Sequence, residues 1–121
     1  MAKEVTGGII FDNVAISANT RSEIVNISKG KTVCFDVTTT DDSSLVGTIQ
    51  VDVCNKYLAN AVESANWQPV TLSTGANTIA ISGTQGEIID LEDMGSKYAT
   101  VYFISTSGSG YINAYAHVKD K

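Results

Sequence analysis

An alternating apolar pattern recurs along this chain and constrains its fold more than any other feature. Within residues 47–55, Ile49, Val51 and Val53 alternate with polar residues, and this period of two places one apolar row on a single face of a β-strand. Such a row needs a second layer to cover it. Three more rows with the same period can supply that layer: Val33/Phe35/Val37, Ala99/Val101/Phe103 and Ile112/Ala114/Ala116/Val118. The pattern predicts an all-β fold, an antiparallel β-sandwich or jelly-roll-like arrangement of about eight to ten strands.

Length and composition fit one β-rich domain. The chain has 121 residues, and its ten glycines against a single proline suit short strands joined by tight turns. Residues 1–7 carry mixed charge and lead into a Gly-Gly pair, so we predict an N-terminal arm at 1–7 and one sandwich domain at 8–121. We expect the arm to become ordered only against a partner.

Charge and hydropathy bear on the class of partner. Thirteen acidic against eight basic residues give a net charge of -5, which disfavours polyanions and predicts no nucleic-acid partner. No stretch approaches the roughly twenty apolar residues of a membrane helix, and residues 1–5 lead into polar sequence rather than an apolar signal region. We therefore expect no membrane partner and a product that stays in the cytoplasm where it is made.

Two turn signals divide the strongest predicted strands. Residues 41–44, Asp-Asp-Ser-Ser, are predicted to end strand 32–40. Residues 107–110, Ser-Gly-Ser-Gly, are predicted to close a hairpin between strands 98–106 and 111–118, because glycine adopts the positive backbone angles of tight turns.

The segment 55–66 is the one stretch with helical character. Leu58 and Val62 lie four residues apart on an alanine-rich run, which is too short to form a stable helix by itself. We predict a long loop with one or two helical turns whose apolar side leans on the rim of the sandwich.

The two cysteines leave two possibilities open. Cys34 and Cys54 fall on the polar parity of their strands, so they would share a face if the strands share a sheet, and a disulfide is conceivable. In a cytoplasmic product, two reduced thiols are the expected state.

No constellation of residues predicts catalysis. His117 is the only histidine, so neither a zinc site nor a histidine-based triad can be assembled, and we predict no catalytic, metal or cofactor site and no enzymatic activity. A cluster of carboxylates could suggest calcium, but its order lacks the spaced ligands and central glycine of a calcium loop. We interpret it as a solvated acidic turn; its members are Glu87, Asp90, Glu92 and Asp93.

Aromatic residues form the strongest candidate binding feature. Tyrosines at period two could make a platform for a sugar or a protein neighbour, or could be ordinary sheet packing. Tyr102 and Tyr115 have the opposite parity to Val101 and Ala114, so at least one row should face away from the main core, and Tyr111 shares the face of Tyr115. The candidate interface residues, including those of the arm, are Lys3, Glu4, Val5, Trp67, Tyr102, Tyr111 and Tyr115.

Three blocks in the second half of the chain resemble a known family. They are 47–51, Gly-Thr-Ile-Gln-Val, with the later Trp67; 93–98, Asp-Met-Gly-Ser-Lys-Tyr; and 101–114, Val-Tyr-Phe through Ser-Gly-Ser-Gly-Tyr-Ile-Asn-Ala. In this order they resemble the small β-sandwich virion structural proteins, decoration or auxiliary proteins, of tailed bacteriophages. One departure is clear. Where that family turns tightly through Ser-Asn-Asp-Gly, this chain has Cys54-Asn55 followed by the insertion 56–66, so any contact made by that turn does not carry over.

The resemblance implies a non-enzymatic bacteriophage virion protein, made in the host bacterial cytoplasm and located in the virion. Its implied role is that of a capsid decoration or cement protein on the outside of the head. The implied partners are the major capsid protein or other virion subunits, and the implied assembly is a homotrimer.

A weaker similarity supports an alternative function. The strand and Trp67 also resemble part of the discoidin-like carbohydrate-binding modules, although the missing tight turn affects this similarity too. The alternative is a carbohydrate-binding module of a phage tail fibre, spike or surface appendage, in which Trp67 and exposed tyrosines stack on sugar rings.

Overall fold

A computed structural model describes residues 3–27, 32–92 and 95–119, and these form an all-β molecule with nine strands. The predicted fold class is confirmed. Asp93, a member of the predicted acidic turn, and Met94, of the second resembling block, lie outside the described residues. Glu87 and Asp90 lie in the strand Gln85–Leu91, so the prediction of a turn is wrong for these two. The strands are β1 (Glu4–Val5), β2 (Gly8–Ile16), β3 (Thr20–Arg21), β4 (Ile24–Asn26), β5 (Thr32–Cys54), β6 (Gln68–Pro69), β7 (Ile79–Ser82), β8 (Gln85–Leu91) and β9 (Tyr98–Lys119).

Two long strands form the frame of the sandwich. β5 has 23 residues and β9 has 22, and they pair antiparallel from Thr32 opposite Lys119 to Cys54 opposite Tyr98. The pairing register shifts between Asp41 and Gly47, where β-bulges bend both strands. The first half of β5 therefore lies with the second half of β9 in layer one, and the other halves lie in layer two. A single bent ribbon thus contributes the two central strands of both layers.

In both layers, shorter strands lie beside the outer edges of β9 and β5. Layer one runs β2–β9–β5–β8, while layer two has β3 and β4 beside β9, and β6 and β7 beside β5. β1 extends layer two as a parallel neighbour of β4, and the other strand pairs are antiparallel. Two connections pass from one layer to the other at the bend. In the connection from β2 to β3, Asn19 Oδ1 accepts the Ser105 N–H (2.9 Å). In the connection from β7 to β8, the Gly83 carbonyl accepts the Thr39 hydroxyl (2.8 Å). The nine described strands thus form one sheet that folds over at the bend into two layers.

The predicted apolar rows meet in the core between the two layers. Phe35 from layer one and Phe103 from layer two are both fully buried and belong to one continuous cluster of apolar side chains. The prediction that period two marks the core face is confirmed by the burial of the other row members: Val33, Val37, Ile49, Val51, Ala99, Val101, Ile112, Ala114 and Ala116 are buried, and Val53 and Val118 pack partly buried against them.

Both predicted turns are wrong. Residues 98–119 form the single strand β9 instead of a hairpin, and residues 41–44 lie within β5. Each segment stays paired with the other long strand on both sides of the bend, so it turns a corner without reversing the chain. Gly108 shows why the corner resembles a turn in sequence, since its φ is +74° and a Cβ there would collide with the carbonyl oxygens of Ser43 and Ser44.

The expectation that the arm needs a partner to become ordered is wrong for residues 3–5. Glu4 and Val5 pair with Ile24 and Val25 of the same chain, and the Lys3 N–H donates to Glu23 Oε2 (3.0 Å). Met1 and Ala2 lie outside the described residues. The predicted boundary between an arm at 1–7 and a domain at 8–121 stays a prediction.

The loop 55–66 contains one short helical element. Val62–Ser64 forms a single 3-10 turn, as predicted, whereas Leu58 is 61% exposed, so the predicted contact of the apolar side with the rim is wrong for Leu58. In the described part of the chain, no helix has the length and apolar character to cross a membrane.

Cys34 and Cys54 are both free. They lie at opposite ends of β5, one in each layer, so the disulfide alternative is wrong.

Candidate binding surface

The outer surface of layer one carries the exposed aromatic residues. Residues directly opposite each other on paired strands share a face, so the registers of β2, β5, β8 and β9 define its members. We call this surface the tyrosine face. It is formed by Ile9 of β2, Tyr111, Asn113, Tyr115 and His117 of β9, Cys34, Asp36, Thr38 and Thr40 of β5, and Gly86, Ile88 and Asp90 of β8.

One row of residues crosses the whole tyrosine face. Ile9, Tyr115, Asp36 and Ile88 lie side by side on four neighbouring strands. Ile9 is 59% exposed, Tyr115 49% and Ile88 69%, and Tyr111, four residues before Tyr115 on the same face of β9, is 38% exposed. These exposed apolar groups, carried by four hydrogen-bonded strands, form a surface suited to contact with another macromolecule.

A shallow groove of about 200 Å³ lies beside Tyr115. Asp12, Asp36 and Asn113 contribute polar groups to it, while Ile9 and Tyr115 supply apolar walls. The Asn113 amide is held in place because its Oδ1 accepts the Asn13 N–H at 2.7 Å, across the bulged part of β2. The groove can offer one aromatic ring and several hydrogen-bonding groups to a small polar ligand.

Cys34, His117 and Asp90 lie in one row of the tyrosine face but are arranged poorly for nucleophilic chemistry. Cys34 stands between the other two, opposite His117 on one side and Asp90 on the other. Burial raises the pKa of the Cys34 thiol, and its hydrogen bond and charge interaction with Asp90 raise it further. The thiol therefore stays protonated near neutral pH, and Asp90 acts on the sulfur rather than on the imidazole. Within the described residues, no three His, Cys, Asp or Glu side chains are grouped to hold a metal ion.

Tyr102 of layer two and Trp67 of the segment between β5 and β6 lie away from the tyrosine face, and their rings enclose Arg21. The Arg21 guanidinium carbon is 4.7 Å from the Trp67 ring centroid and 4.2 Å from the Tyr102 ring centroid. Both distances fit cation–π contacts. The ring faces that Arg21 covers are therefore occupied within the chain and cannot stack on an outside ligand.

Ion pairs complete this arrangement, which we call the arginine cluster: Arg21, Asp52, Glu63, Trp67 and Tyr102. Arg21 Nη1 donates to Asp52 Oδ2 (2.9 Å), and Arg21 Nε donates to both oxygens of Glu63 (3.0 and 3.1 Å). The Arg21 and Asp52 side chains are only 7% and 4% exposed, whereas Glu63 is 64% exposed. Because Glu63 and Trp67 belong to the segment after β5, the cluster fastens that segment to layer two.

Further hydrogen bonds satisfy the buried groups of the cluster. Arg21 Nη1 also donates to Thr100 Oγ1 (2.8 Å), and Gln50 Nε2 donates to Asp52 Oδ1 (2.6 Å). Trp67 Nε1–H donates to the Val62 carbonyl (2.8 Å), which ties the 3-10 turn to the indole. No sequence pattern singles out Arg21, because its partners come from three distant parts of the chain.

The residues at the start of the chain meet the loop 55–66 through Tyr57. Its hydroxyl donates to Glu4 Oε1 at 2.6 Å, and its ring packs edge-to-face on Tyr98 with centroids 4.9 Å apart. The hydrogen bond to the Glu4 carboxylate is the main cause that raises the pKa of Tyr57 to about 12. Ionisation of Tyr57 removes the donated proton and places two negative charges together.

We expect the Tyr57 hydroxyl to ionise about two pH units above an ordinary tyrosine, whose pKa is about 10. The stabilisation that it gives is complete below pH 10 and is lost as the pH rises through about 12. Following the Tyr57 ring carbon by NMR titration measures this directly. Glu4→Gln should bring the pKa back toward 10, and a Tyr57 pKa that is the same in both chains would contradict the contact.

The structure separates the predicted interface residues into three places. Tyr111 and Tyr115 lie together on the tyrosine face, Trp67 and Tyr102 lie in the arginine cluster, and Lys3, Glu4 and Val5 lie at the β1 edge of layer two. The sequence-based prediction omitted Ile9 and Ile88. Strand parity could have placed Ile88 on the outer face, because the neighbouring Ile89 points into the core.

Comparison with protein-family models, curated proteins and solved structures gives no significant match to this chain.

Proposed function

We propose that this chain is a non-enzymatic bacteriophage virion protein that decorates the outside of the head and binds the major capsid protein or another virion subunit through its tyrosine face. The observation that carries the proposal is the row of exposed Ile9, Tyr115 and Ile88 across the four strands of layer one. The bacteriophage assignment itself rests on the resemblance of the three sequence blocks.

The composition of the tyrosine face supports a protein partner. Tyrosine is enriched in protein interfaces because it combines a large apolar ring with a hydroxyl that can find a partner at the rim. Thr38, Thr40 and Asn113 stand between the tyrosines and can form hydrogen bonds with an opposing backbone. A stable contact needs roughly 1,000 Å² of buried surface, which a four-stranded face can help to supply.

The proposal keeps the arm and the homotrimer as secondary elements. Lys3, Glu4 and Val5 lie on the β1 edge, where they could reach a neighbouring subunit without leaving the sandwich. The threefold assembly comes from the resemblance alone. Trp67 and Tyr102 have a supporting role instead, because they hold Arg21.

The decoration role predicts that Tyr115→Ala weakens capsid binding about tenfold or more, since a central interface tyrosine contributes over 1 kcal/mol. Binding is measured by co-sedimentation of purified protein with capsids that lack it. Leu58→Ala is the matched control, because it removes a side chain of similar exposure from the loop after β5. Equal binding by both variants would remove the tyrosine face from the mechanism, and absence of the protein from purified virions by mass spectrometry would remove the role itself.

The groove beside Tyr115 supports the alternative, a carbohydrate-binding module of a tail fibre, spike or surface appendage. Sugar sites combine an aromatic ring with nearby polar groups, and Tyr115 with Asp36 and Asn113 provides this combination. A glycan array run with the same Tyr115→Ala variant separates the two functions. Glycan binding that Tyr115→Ala abolishes, without capsid binding, favours the module.

A further inference from the structure

β8 forms an open edge of layer one, in that no second described strand pairs with it, and its residues Glu87–Asp90 line a cavity of about 240 Å³ together with Leu72–Thr74 and Thr78–Ile79. It pairs only with β5, through seven consecutive residue pairs from Val33 opposite Leu91 to Thr39 opposite Gln85, without a register shift. In an antiparallel edge strand, alternate backbone N–H and C=O groups point away from the neighbouring strand. These groups form a template for another strand.

The other edges of the described sheet are poorer templates. β2, at the opposite edge of layer one, is bulged twice, and its Asn13 has a φ of 48° that breaks the extended backbone. In layer two, β1 and β6 have two residues each and β7 has four. β8 is therefore the longest regular open edge among the described residues.

We propose that β8 pairs antiparallel with β8 of a second copy of this chain, about a twofold axis at Ile88. In this register Ile88 faces its own copy, Gly86 faces Asp90 of the other chain, and Glu87 faces Ile89. No two like charges are directly opposite, and glycine leaves space for the carboxylate. The exposed Ile88 side chains, 69% accessible in one chain, cover each other.

Neighbouring registers fit worse. A twofold axis at Glu87 or at Asp90 places two carboxylates directly opposite each other, which is destabilising. An axis at Ile89 places the Ile88 side chain opposite Asp90. For a second copy, the order of charges along β8 thus favours one register, and the self-covering Ile88 side chains favour a second copy as the partner. This order also fits a twofold pair better than a threefold ring, because a ring needs two different patches to meet. The pairing is therefore an alternative to the homotrimer that the resemblance implies, and the mass of the protein in solution decides between them.

This inference goes beyond the proposed function. Pairing at β8 continues each tyrosine face into the next and produces one eight-stranded surface with two copies of Tyr111 and Tyr115. The remaining repulsion is diagonal, between the two Glu87 side chains, each already hydrogen-bonded by Gln85 Nε2 (2.9 Å) in its own chain. Added salt should therefore tighten the pair.

Sedimentation equilibrium over a range of concentrations tests the pairing. We expect twice the mass of one chain, and we expect Ile88→Lys to weaken the dimer about tenfold or more because it sets two cations opposite each other. Ile9→Lys is the matched control, since Ile9 is an exposed isoleucine of the same face at the other edge. Circular dichroism checks that both variants stay folded.

Cross-linking tests the register. In a chain with Cys34→Ser and Cys54→Ala, Ile88→Cys should form a disulfide-linked dimer on mild oxidation and Ile9→Cys should not. A wild-type monomer or trimer at all concentrations, or equal effects of the two lysine variants, would overturn the pairing. Tyr115→Ala, whose side chain lies on β9 away from β8, should keep the dimer mass even though it binds capsids weakly. The mass of the free protein therefore tests the pairing and capsid binding by Tyr115→Ala tests the decoration role, so the two proposals can fail separately.

Discussion

Gly108→Ala is expected to lower the free energy of unfolding by about 3 kcal/mol or more, because two penalties coincide at the corner of β9. The φ of +74° at Gly108 lies in the left-handed region that a residue with a Cβ adopts only under strain. The added Cβ would also overlap the carbonyl oxygens of Ser43 and Ser44 in β5. Since this backbone is held by pairing on both sides, neither strand can move away without opening the fold. Urea denaturation of both chains measures the difference.

Gly75→Ala separates the two penalties. Gly75 has a similar φ of +89°, but no atom lies within 4 Å of the position that its Cβ would take. It should therefore lose about 1 kcal/mol, from backbone strain alone. If Gly108→Ala destabilised the fold no more than Gly75→Ala, the close contact between the two long strands at the corner would be refuted.

The layers of the fold could be predicted from sequence, whereas the path of the chain between them could not. Alternation of apolar residues depends only on which face of a strand is buried, so it locates the core whatever the strand order. A tight turn and a sandwich corner both use glycine and small polar residues, because both need unusual backbone angles. What distinguishes them is whether pairing continues on the far side, and for residues 107–110 that depends on residues 40–46, far away in the chain.

The same limit applies to the candidate surface. Strand parity places Tyr111 and Tyr115 on an exposed face because it is a local property of β9. Trp67 and Tyr102 have favourable local patterns too, yet Arg21 covers their rings. An arginine that reaches its partners through tertiary contacts leaves no periodic signal near itself. Local pattern therefore finds an aromatic residue on the surface but does not show whether another part of the chain covers it.

Arg21→Met is expected to lower the free energy of unfolding by about 3 kcal/mol, since removing one partner of a buried ion pair leaves the other charge without compensation. Asp52 is the charge left behind, with a side chain only 4% exposed and one remaining side-chain donor, Gln50 Nε2. The segment that Glu63 and Trp67 fasten to layer two should also loosen. Hydrogen exchange of the backbone amides in residues 61–67 should accelerate more than exchange in β5, and urea denaturation gives the stability change.

Two further variants show whether the buried charge causes this loss. Glu63→Gln removes the exposed partner, 64% accessible, and should change stability by less than about 0.5 kcal/mol because solvent screens that pair. Adding Asp52→Asn to Arg21→Met removes the stranded charge and should recover part of the loss, so the two substitutions should be less damaging together than their sum. If Arg21→Met proved as mild as Glu63→Gln, the guanidinium would merely rest between the two rings, and the segment after β5 would be held by the Trp67 indole and its bond to Val62.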